Sequence, residues 1–546
     1  MKNWATVIKY QMNCNCIASR PLLCALFVLV SLLVLSCFDY PLISSKVWIS
    51  GVKFINGGGS TEGTETGTIP NDRLLGGLLS PNFNEQSCVS RYQSMLYRKA
   101  SPYILSSSLI NKLRKYEELH KKCSPNTPLF HQSLQQLKAN HSTDQLKCNY
   151  VLWTPSGGLS NRMLALVSTF LYALLTNRVM LIHHVDDMVD LLCEPFPGST
   201  WYLPPDFQIK NLESYNLYSE NSYGYLVEHN MINNDPNSPS SAVPSFIYLH
   251  LQCDYLYHVL HKRFFCEEDQ EVINKINWVL LKLDNYFVPG LFMIPKYEQE
   301  LERMFPIKET VFHHLGRYLL HPSNSVWGMV MRYHKSYMAK AKERIGIQAR
   351  IFDSAPISID DLYKQIVTCT QEESILPKLN PEQSKNSFLE LNEATPRAVL
   401  LASLYGVLYD RLKNMYYLHS TTTSEIVSVY QPSHEENQQS EQQLHNQKAL
   451  AEIWLLSFSD VLVTTAGSTF GYMAYSLAGI KPWFLMRSKD QKIPDPPCRR
   501  SGTIDPCFHS PPADLICRTR NITNAGKVVR NVRHCEDFDG GVKLFD

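Results

Sequence analysis

The chain reads as an α/β protein whose two halves each carry a βα turn able to hold an anion. Residues 150–153, a glycine turn (Gly157, Gly158, Leu159, Ser160, Asn161, Arg162), an apolar helix and a second strand at 178–182 follow in strand, turn, helix, strand order. The order returns in the second half. There the compact apolar strand 460–465 precedes the turn Ala466-Gly467-Ser468-Thr469, a helix reaching Leu477 and a strand at 480–485. The length of 546 residues also exceeds what one hydrophobic core organises, so two globular domains with accessory segments are expected.

The first helix rests on Leu159, Met163, Leu166, Val167, Phe170, Leu171 and Leu174, whose spacings of three and four put them on one face. Glycines ahead of its first turn let backbone approach a ligand closely. The unpaired N–H groups and positive dipole end of the helix favour an anion, and Arg162 adds a charge there. A glycine turn by itself fits plain βα packing as well, so the chemistry has to rest on more than this motif.

Residues 248–337 are rich in Tyr, Phe and Trp and are punctuated by Pro289, Pro295, Pro306 and Pro322, which predicts short, broken helices. Residues 344–352 alternate in strand fashion, and 398–409 combines strand and helix character. The polar stretch 431–447 is expected as a surface loop or the start of a solvated helix. Ser468 is an N-cap candidate for the helix after the second turn, and Gly479 stands where its C-terminal cap belongs.

Lys and Arg number 52 against 51 Asp and Glu, and a net charge of +1 excludes nucleic-acid binding by bulk electrostatics. Any anion site must therefore be local. Residues 22–38 are almost wholly apolar and uncharged, and Lys2, Lys9 and Arg20 precede them. That asymmetry predicts an uncleaved membrane anchor with a cytoplasmic N-terminus and the rest of the chain across the membrane. Cys37-Phe38-Asp39-Tyr40 is a poor signal-peptide cleavage site.

Of 15 cysteines, eleven (Cys88, Cys123, Cys148, Cys193, Cys253, Cys266, Cys369, Cys498, Cys507, Cys517, Cys535) follow the anchor, where an oxidising lumen would pair most of them. The odd number leaves one over, and spacing does not dictate the pairs. Cys498, Cys507 and Cys517 read as disulfide partners rather than zinc ligands. Asn140-His141-Ser142 and Asn521-Ile522-Thr523 are glycosylation sequons, with Asn140 and Asn521 as acceptors.

Six segments carry a family resemblance: Gly158-Leu159-Ser160-Asn161-Arg162, Asp190-Leu191-Leu192-Cys193-Glu194-Pro195-Phe196, Asp284-Asn285-Tyr286-Phe287-Val288-Pro289, Ile345-Gly346-Ile347-Gln348-Ala349-Arg350, Ser468-Thr469-Phe470-Gly471-Tyr472 and Pro506-Cys507-Phe508-His509. In this order, and across residues 85 to 535, the sequence closely resembles the plant xyloglucan-type fucosyltransferases, glycosyltransferase family 37. The resemblance implies a variant GT-B fold, with two Rossmann-like domains facing a cleft, behind a transmembrane anchor and stem. It also implies a single-pass type II protein of the Golgi membrane, and inverting transfer of L-fucose from GDP-β-L-fucose to the 2-OH of a galactosyl residue without a metal. The organisation expected is a cytoplasmic tail (1–21), an anchor (22–38), a flexible stem (39–85), an acceptor-side domain (86–335) and a GDP-fucose-binding domain (336–546). Three departures stand out. Ser160 replaces a usual Gly, Ala349 a usual Ile, and Ala466-Gly467 a bulkier pair.

Arg350 is expected to grip the donor pyrophosphate and stabilise the charge that grows on departing GDP; its competing role is a structural salt bridge. Ser468, Thr469, Phe470, Gly471 and Tyr472 would offer hydroxyls and N–H groups to the phosphates, against the plainer role of a capped helix start. Gly158, Asn161 and Arg162 would hold substrate polar groups. Asp284 would assist the attacking hydroxyl, against the role of a turn carboxylate. His183, His184 and His509 are lesser base candidates, and Trp153, Tyr286, Trp327 and Tyr472 are aromatics that stack on sugars or fill the core. Asp186-Asp187 and Asp360-Asp361 read as solvated turn residues, so no metal site and no cofactor besides the donor substrate are expected. Partners expected are GDP-fucose, a galactosylated polysaccharide or proteoglycan, and a second copy or other Golgi glycosyltransferases. The rival functions are an inert Golgi scaffold and transfer from another nucleotide sugar.

Overall fold

A computed structural model of the protein describes residues 72–138, 142, 146–232, 243–252, 258–380 and 396–546. The anchor, most of the stem, Asn140 and Cys253 lie outside them. The stem assigned to 39–85 gives way to folded chain before its C-terminal limit: Leu78 and Leu79 are buried, and Arg114 Nη2 donates to the Leu78 carbonyl at 2.7 Å.

The first sheet is wholly parallel. It contains β1 (Tyr150–Pro155), β2 (Val179–Ile182), β3 (Phe246–Leu251) and β4 (Trp278–Leu283), in the order β2-β1-β4-β3. Its residues alternate between two cores: Val151 and Trp153 face one, Tyr150 and Leu152 the other. Burial on both faces is what a parallel sheet requires, and it explains the unbroken apolar runs. The second sheet contains β5 (Glu343–Ala349), β6 (Arg397–Ser403), β7 (Val427–Tyr430), β8 (Val461–Thr465), β9 (Trp483–Leu485) and β10 (Cys498–Arg500). Its order is β10-β9-β8-β5-β6-β7, parallel except for β10. A hairpin of β11 (Val532–His534) and β12 (Val542–Leu544) ends the chain.

Three helices bear on the site: α1 (Leu159–Thr176), α2 (Gln443–Leu456) and α3 (Thr469–Ala478). Helix α1 is apolar and long enough to cross a membrane, but 89% of it is buried inside the fold. Its burial extends around the whole helix because α3, α2 and a third helix, Val311–Leu319, pack on the side away from the sheet. The helices that follow the two glycine turns therefore touch each other, and the turns open on the same space.

The last residues of the chain tie both sheets together. Tyr286, just past β4, donates to Asp505 at 2.8 Å, and a Cys266–Cys517 disulfide joins the first half to the tail. The other disulfides are Cys88–Cys193, Cys123–Cys148, Cys369–Cys498 and Cys507–Cys535. Cys498, Cys507 and Cys517 are thus all paired, each with a partner distant from the other two.

Candidate active site

Parallel sheets bind ligands beyond the carboxyl ends of their strands, at the point where strand order reverses. In the second sheet the chain runs β5-β6-β7 outward and then returns to β5's other side as β8, so the reversal lies between β5 and β8. Arg350 follows β5 there, and its backbone N–H donates to Thr465 Oγ1 at the end of β8, at 2.9 Å. The Gln348 side chain accepts from the Thr465 N–H at 3.2 Å. These bonds lock the two strand ends in register.

A cavity of about 380 Å³ opens at this point, lined from the second half by Gln348, Arg350, Gly467, Ser468, Thr469 and Arg487, and from the first by Gly158, Leu159, Ser160 and Asn161. That volume suits a small-molecule ligand. The Arg350 guanidinium makes no ion pair or hydrogen bond with any described residue, which removes the structural salt bridge as its role. Ser468 also departs from expectation. Its side chain makes no capping hydrogen bond, so its hydroxyl remains at the cavity wall. The first-turn N–H groups of α3 have no acceptor within the helix, and together with the dipole they offer an anion site.

Gly471 and Tyr472 stand behind that wall. A Cβ at Gly471 would meet Thr464 Cβ at 2.8 Å, so this glycine serves close helix–strand packing. Tyr472 is fully buried and donates to Asp537 Oδ2 at 2.7 Å. Trp153, Tyr286 and Trp327 are likewise core residues, so packing is the role the structure gives all four aromatics.

Arg162 sits one residue beyond Asn161 and is turned from the cavity. Its Nε donates to the Gly157 carbonyl at 2.7 Å, and its Nη1 pairs with Asp187 Oδ2 at 2.6 Å. Asp187 is therefore a half-buried ion-pair partner, a correction to its reading as a solvated acid; the pair braces the first turn. Within that turn the backbone freedom is needed at Gly157, with φ +76°, and Ser160 occupies ordinary helix. Asp284 follows β4 beside this turn: a Cβ at Gly157 would lie 3.4 Å from Asp284 Cβ, and Asn285 Nδ2 donates to Asp284 Oδ1 at 2.8 Å. His509 lines the cavity, stacked on Phe538 with centroids 3.8 Å apart. Burial holds its imidazole down at about 4, so it is neutral near neutral pH. His183 and His184 do not line it.

A residue not singled out from the sequence completes the site. Arg487, two positions past β9, donates through Nε to the Ala466 carbonyl at 3.2 Å and lies over the rings of Phe352 and Phe538 at 5.0 and 4.8 Å. A Cβ on Gly467, whose φ is +75°, would fall 2.3 Å from Arg487 Nη2, so the glycine makes room for this second cation. Its position just past a strand end, like that of Arg350, is the one clue the sequence offered.

The polar stretch 431–447 is mostly exposed, as expected, and from Gln443 it is the start of α2. It crosses from β7 to the first half: Gln443 Nε2 donates to Val189 O at 2.8 Å and Asn446 Nδ2 to Asp187 O at 3.1 Å. Gln438 abuts Gly158, where a Cβ would lie 3.1 Å from its Nε2. Glu452, on α2, also lines the cavity. Two clusters among the described residues have metal-ligand spacing, Cys266-Glu268-Cys517 and Cys507-Cys535-Asp537, but in each the two cysteines are joined as a disulfide.

The xyloglucan fucosyltransferase family model matches residues 50–518. A galactoside 2-alpha-L-fucosyltransferase of Pisum sativum is 46% identical over 495 residues, covering 90% of this chain and 85% of the relative. One of Arabidopsis thaliana is 48% identical over 489 residues, covering 88% and 85%. A solved structure of an Arabidopsis thaliana FUT1 mutant in complex with GDP is 47% identical with a TM-score of 0.79, covering 87% of this chain and 100% of that one.

Proposed function

This chain belongs to the xyloglucan fucosyltransferase family, and on that footing we propose that it moves L-fucose from GDP-β-L-fucose to the 2-OH of a galactosyl residue on a plant cell-wall polysaccharide or proteoglycan, xyloglucan first among them. The observation that carries this reading is the meeting of Arg350, Arg487 and the N-terminus of α3 on one cavity whose opposite wall is the glycine turn of the first half. Two guanidinium groups and a helix end are a diphosphate's complement.

The galactosyl O2 attacks the fucose anomeric carbon on the face opposite GDP. The bond from that carbon to the phosphate oxygen breaks, and its electron pair leaves with GDP. Negative charge grows on the diphosphate as the sugar becomes oxocarbenium-like. Arg350 and Arg487, fixed before the reaction begins, stabilise that charge without reorganising. Ser468 and Thr469 add hydroxyls and N–H groups, and Asn161 meets the substrate from the other wall. Asp284 assists the hydroxyl as its proton is lost.

The same reading takes the two sheets as the two domains of a variant GT-B fold, the second binding the donor. It places the chain in the Golgi membrane by residues 22–38, with the head in the lumen. Fixed cations take the role that a divalent ion plays elsewhere, so activity persists in excess chelator. Detergent-solubilised full-length chain, GDP-fucose and a panel of galactosylated acceptors, assayed for GDP release and product linkage, test the reading. Absence of transfer to every galactoside, or transfer abolished by chelator, would overturn it.

A further inference from the structure

The tail carries a motif that has no part in the cavity. Asn521-Ile522-Thr523 is an N-glycosylation sequon whose three residues stand in different surroundings. Asn521 and Thr523 are exposed, whereas Ile522 is fully buried. Ile522 pairs with Leu515 in both directions: its N–H donates to Leu515 O at 2.8 Å, and its carbonyl accepts from Leu515 N at 3.0 Å. Asn521 Oδ1 accepts the Cys517 N–H at 3.1 Å. Asn521 Nδ2, the atom a glycan takes, has no partner among the described residues, and neither has the Thr523 hydroxyl. The finished fold therefore accommodates a sugar on Nδ2 with the Oδ1 bond intact.

The loop that bears the sequon is clamped onto the first half. Cys517 is joined to Cys266 across 251 residues of sequence. Around that disulfide Lys262 Nζ donates to Ala513 O at 3.2 Å, the Arg518 N–H to Glu268 Oε1 at 2.7 Å, and Arg520 Nη2 to Glu298 Oε2 at 3.0 Å. An enzyme that glycosylates Asn521 has to hold its amide and the Thr523 hydroxyl at once, so it must surround Ile522 as well. In the folded chain that residue is out of reach. The sugar can be added only while the tail is open. The first half enters the lumen before the tail and folds as a unit, and bringing the tail back to it closes a long loop at an entropic cost. Until that closure, Asn521 and Cys517 are both free to react.

We propose that Asn521 is an N-glycosylation site filled in competition with the closing of the Cys266–Cys517 disulfide. The inference rests on the reading that the chain beyond the anchor lies in the lumen. In the open tail, Asn521 Nδ2 attacks the anomeric carbon of an oligosaccharide carried on a lipid diphosphate. The bond from that carbon to the phosphate oxygen breaks, its electron pair leaves with the lipid diphosphate, and Nδ2 loses one proton to a base of the glycosylating enzyme. In the competing step the Cys266 and Cys517 thiols lose their protons and two electrons to a lumenal disulfide, which is reduced to a dithiol as the new S–S bond forms. With the tail clamped by that bond, Ile522 is buried and Asn521 stays bare. A chain glycosylated first still folds, because Asn521 is exposed and its Oδ1 keeps accepting from Cys517. Both forms therefore reach the finished protein.

The test is peptide mass spectrometry of the full-length chain made in plant cells, after a glycan-releasing amidase in heavy-oxygen water has converted each occupied Asn to labelled Asp. The parent should show Asn521 in both forms. In Cys266→Ser/Cys517→Ser the unmodified fraction should fall several-fold, and Thr523→Ala should abolish the modification. Cys369→Ser/Cys498→Ser, which opens a disulfide of the second half, should leave the parent's fraction unchanged. Full occupancy in the parent, no change in the Cys266/Cys517 variant, or an equal fall in both double variants would overturn the competition. Protease added to sealed microsomes separates the site from the topology. If the chain beyond the anchor is protected yet Asn521 is bare in the parent and in Cys266→Ser/Cys517→Ser, the site is wrong and the lumenal reading stands. If that part of the chain is digested, the lumenal reading is itself wrong. Occupancy is read on peptides, so a variant that fails to fold still gives an answer.

Discussion

Asp537 accepts the backbone N–H of Gly467 at 3.0 Å, so an acid nine residues before Asp546 holds the turn that starts the diphosphate site. Asp537 also accepts from Tyr472 and pairs with Lys543 at 2.9 Å, both ends of the pair being fully buried. Burial pushes its carboxyl up, but Lys543, the Tyr472 hydroxyl and the Gly467 N–H together carry it below the ordinary carboxylate value. Removing one partner of a buried pair leaves the other charge stranded. Asp537→Asn should therefore cost about 3–5 kcal/mol of stability in chemical denaturation. A loss below about 1 kcal/mol would show that Lys543 does not depend on this acid.

Arg350→Ala should lower turnover about 10²-fold or more, since the cation meets charge that develops as GDP departs. The guanidinium has no protein partner among the described residues, so the melting temperature should stay within a few degrees. Steady-state GDP release on a variant of verified fold is the measurement. Turnover near that of the parent would remove Arg350 from the reaction.

Arg487→Lys keeps a charge but loses the Nε bond to Ala466 and the planar seat between Phe352 and Phe538. Its kcat/KM for the donor should fall about 10-fold or more. Gly467→Ala should act in the same direction by displacing the guanidinium and straining the backbone. Equal activity in both variants would mean the fork geometry is irrelevant.

Asp284 stands beside the first turn and does not line the cavity. Asp284→Asn should therefore raise the acceptor KM several-fold while kcat changes by less than about 10-fold, the pattern of a positioning group. A kcat loss of about 10³-fold with acceptor KM unchanged would instead make it the base.

Burial pushes the Glu452 carboxyl up to about 7, with Glu435 raising it and the Ser433 bonds and Lys448 opposing. Glu452 lines the cavity, and once protonated it offers a ligand a donor where the carboxylate offers only acceptors. GDP affinity in the free enzyme should thus be full above about pH 7 and fall as pH drops through that value, approaching tenfold per unit. Titrations across pH 5.5–8.5 read this directly. Glu452→Gln should flatten the profile, and an unchanged profile in that variant would assign the titration elsewhere.

The sequence alone determined both βα turns, because a strand, a glycine and an apolar helix at spacings of three and four leave the local chain few alternatives. Helix α1, β8, α3 and the Gly479 cap all lie within a few residues of where periodicity and turn chemistry put them. Arg350 was legible because its strand ends there. What only the tertiary structure decided is which polar groups keep their charge for a ligand. Arg162 looked equivalent to Arg350, yet Asp187, distant in sequence, neutralises it. Arg487 and Glu452 looked like ordinary strand-end and helix residues, yet the packing of Phe538 and Ser433 turns them into walls of the cavity. Helix and strand follow from neighbours along the chain. The availability of a charge depends on partners brought from tens or hundreds of residues away, and no local pattern encodes those.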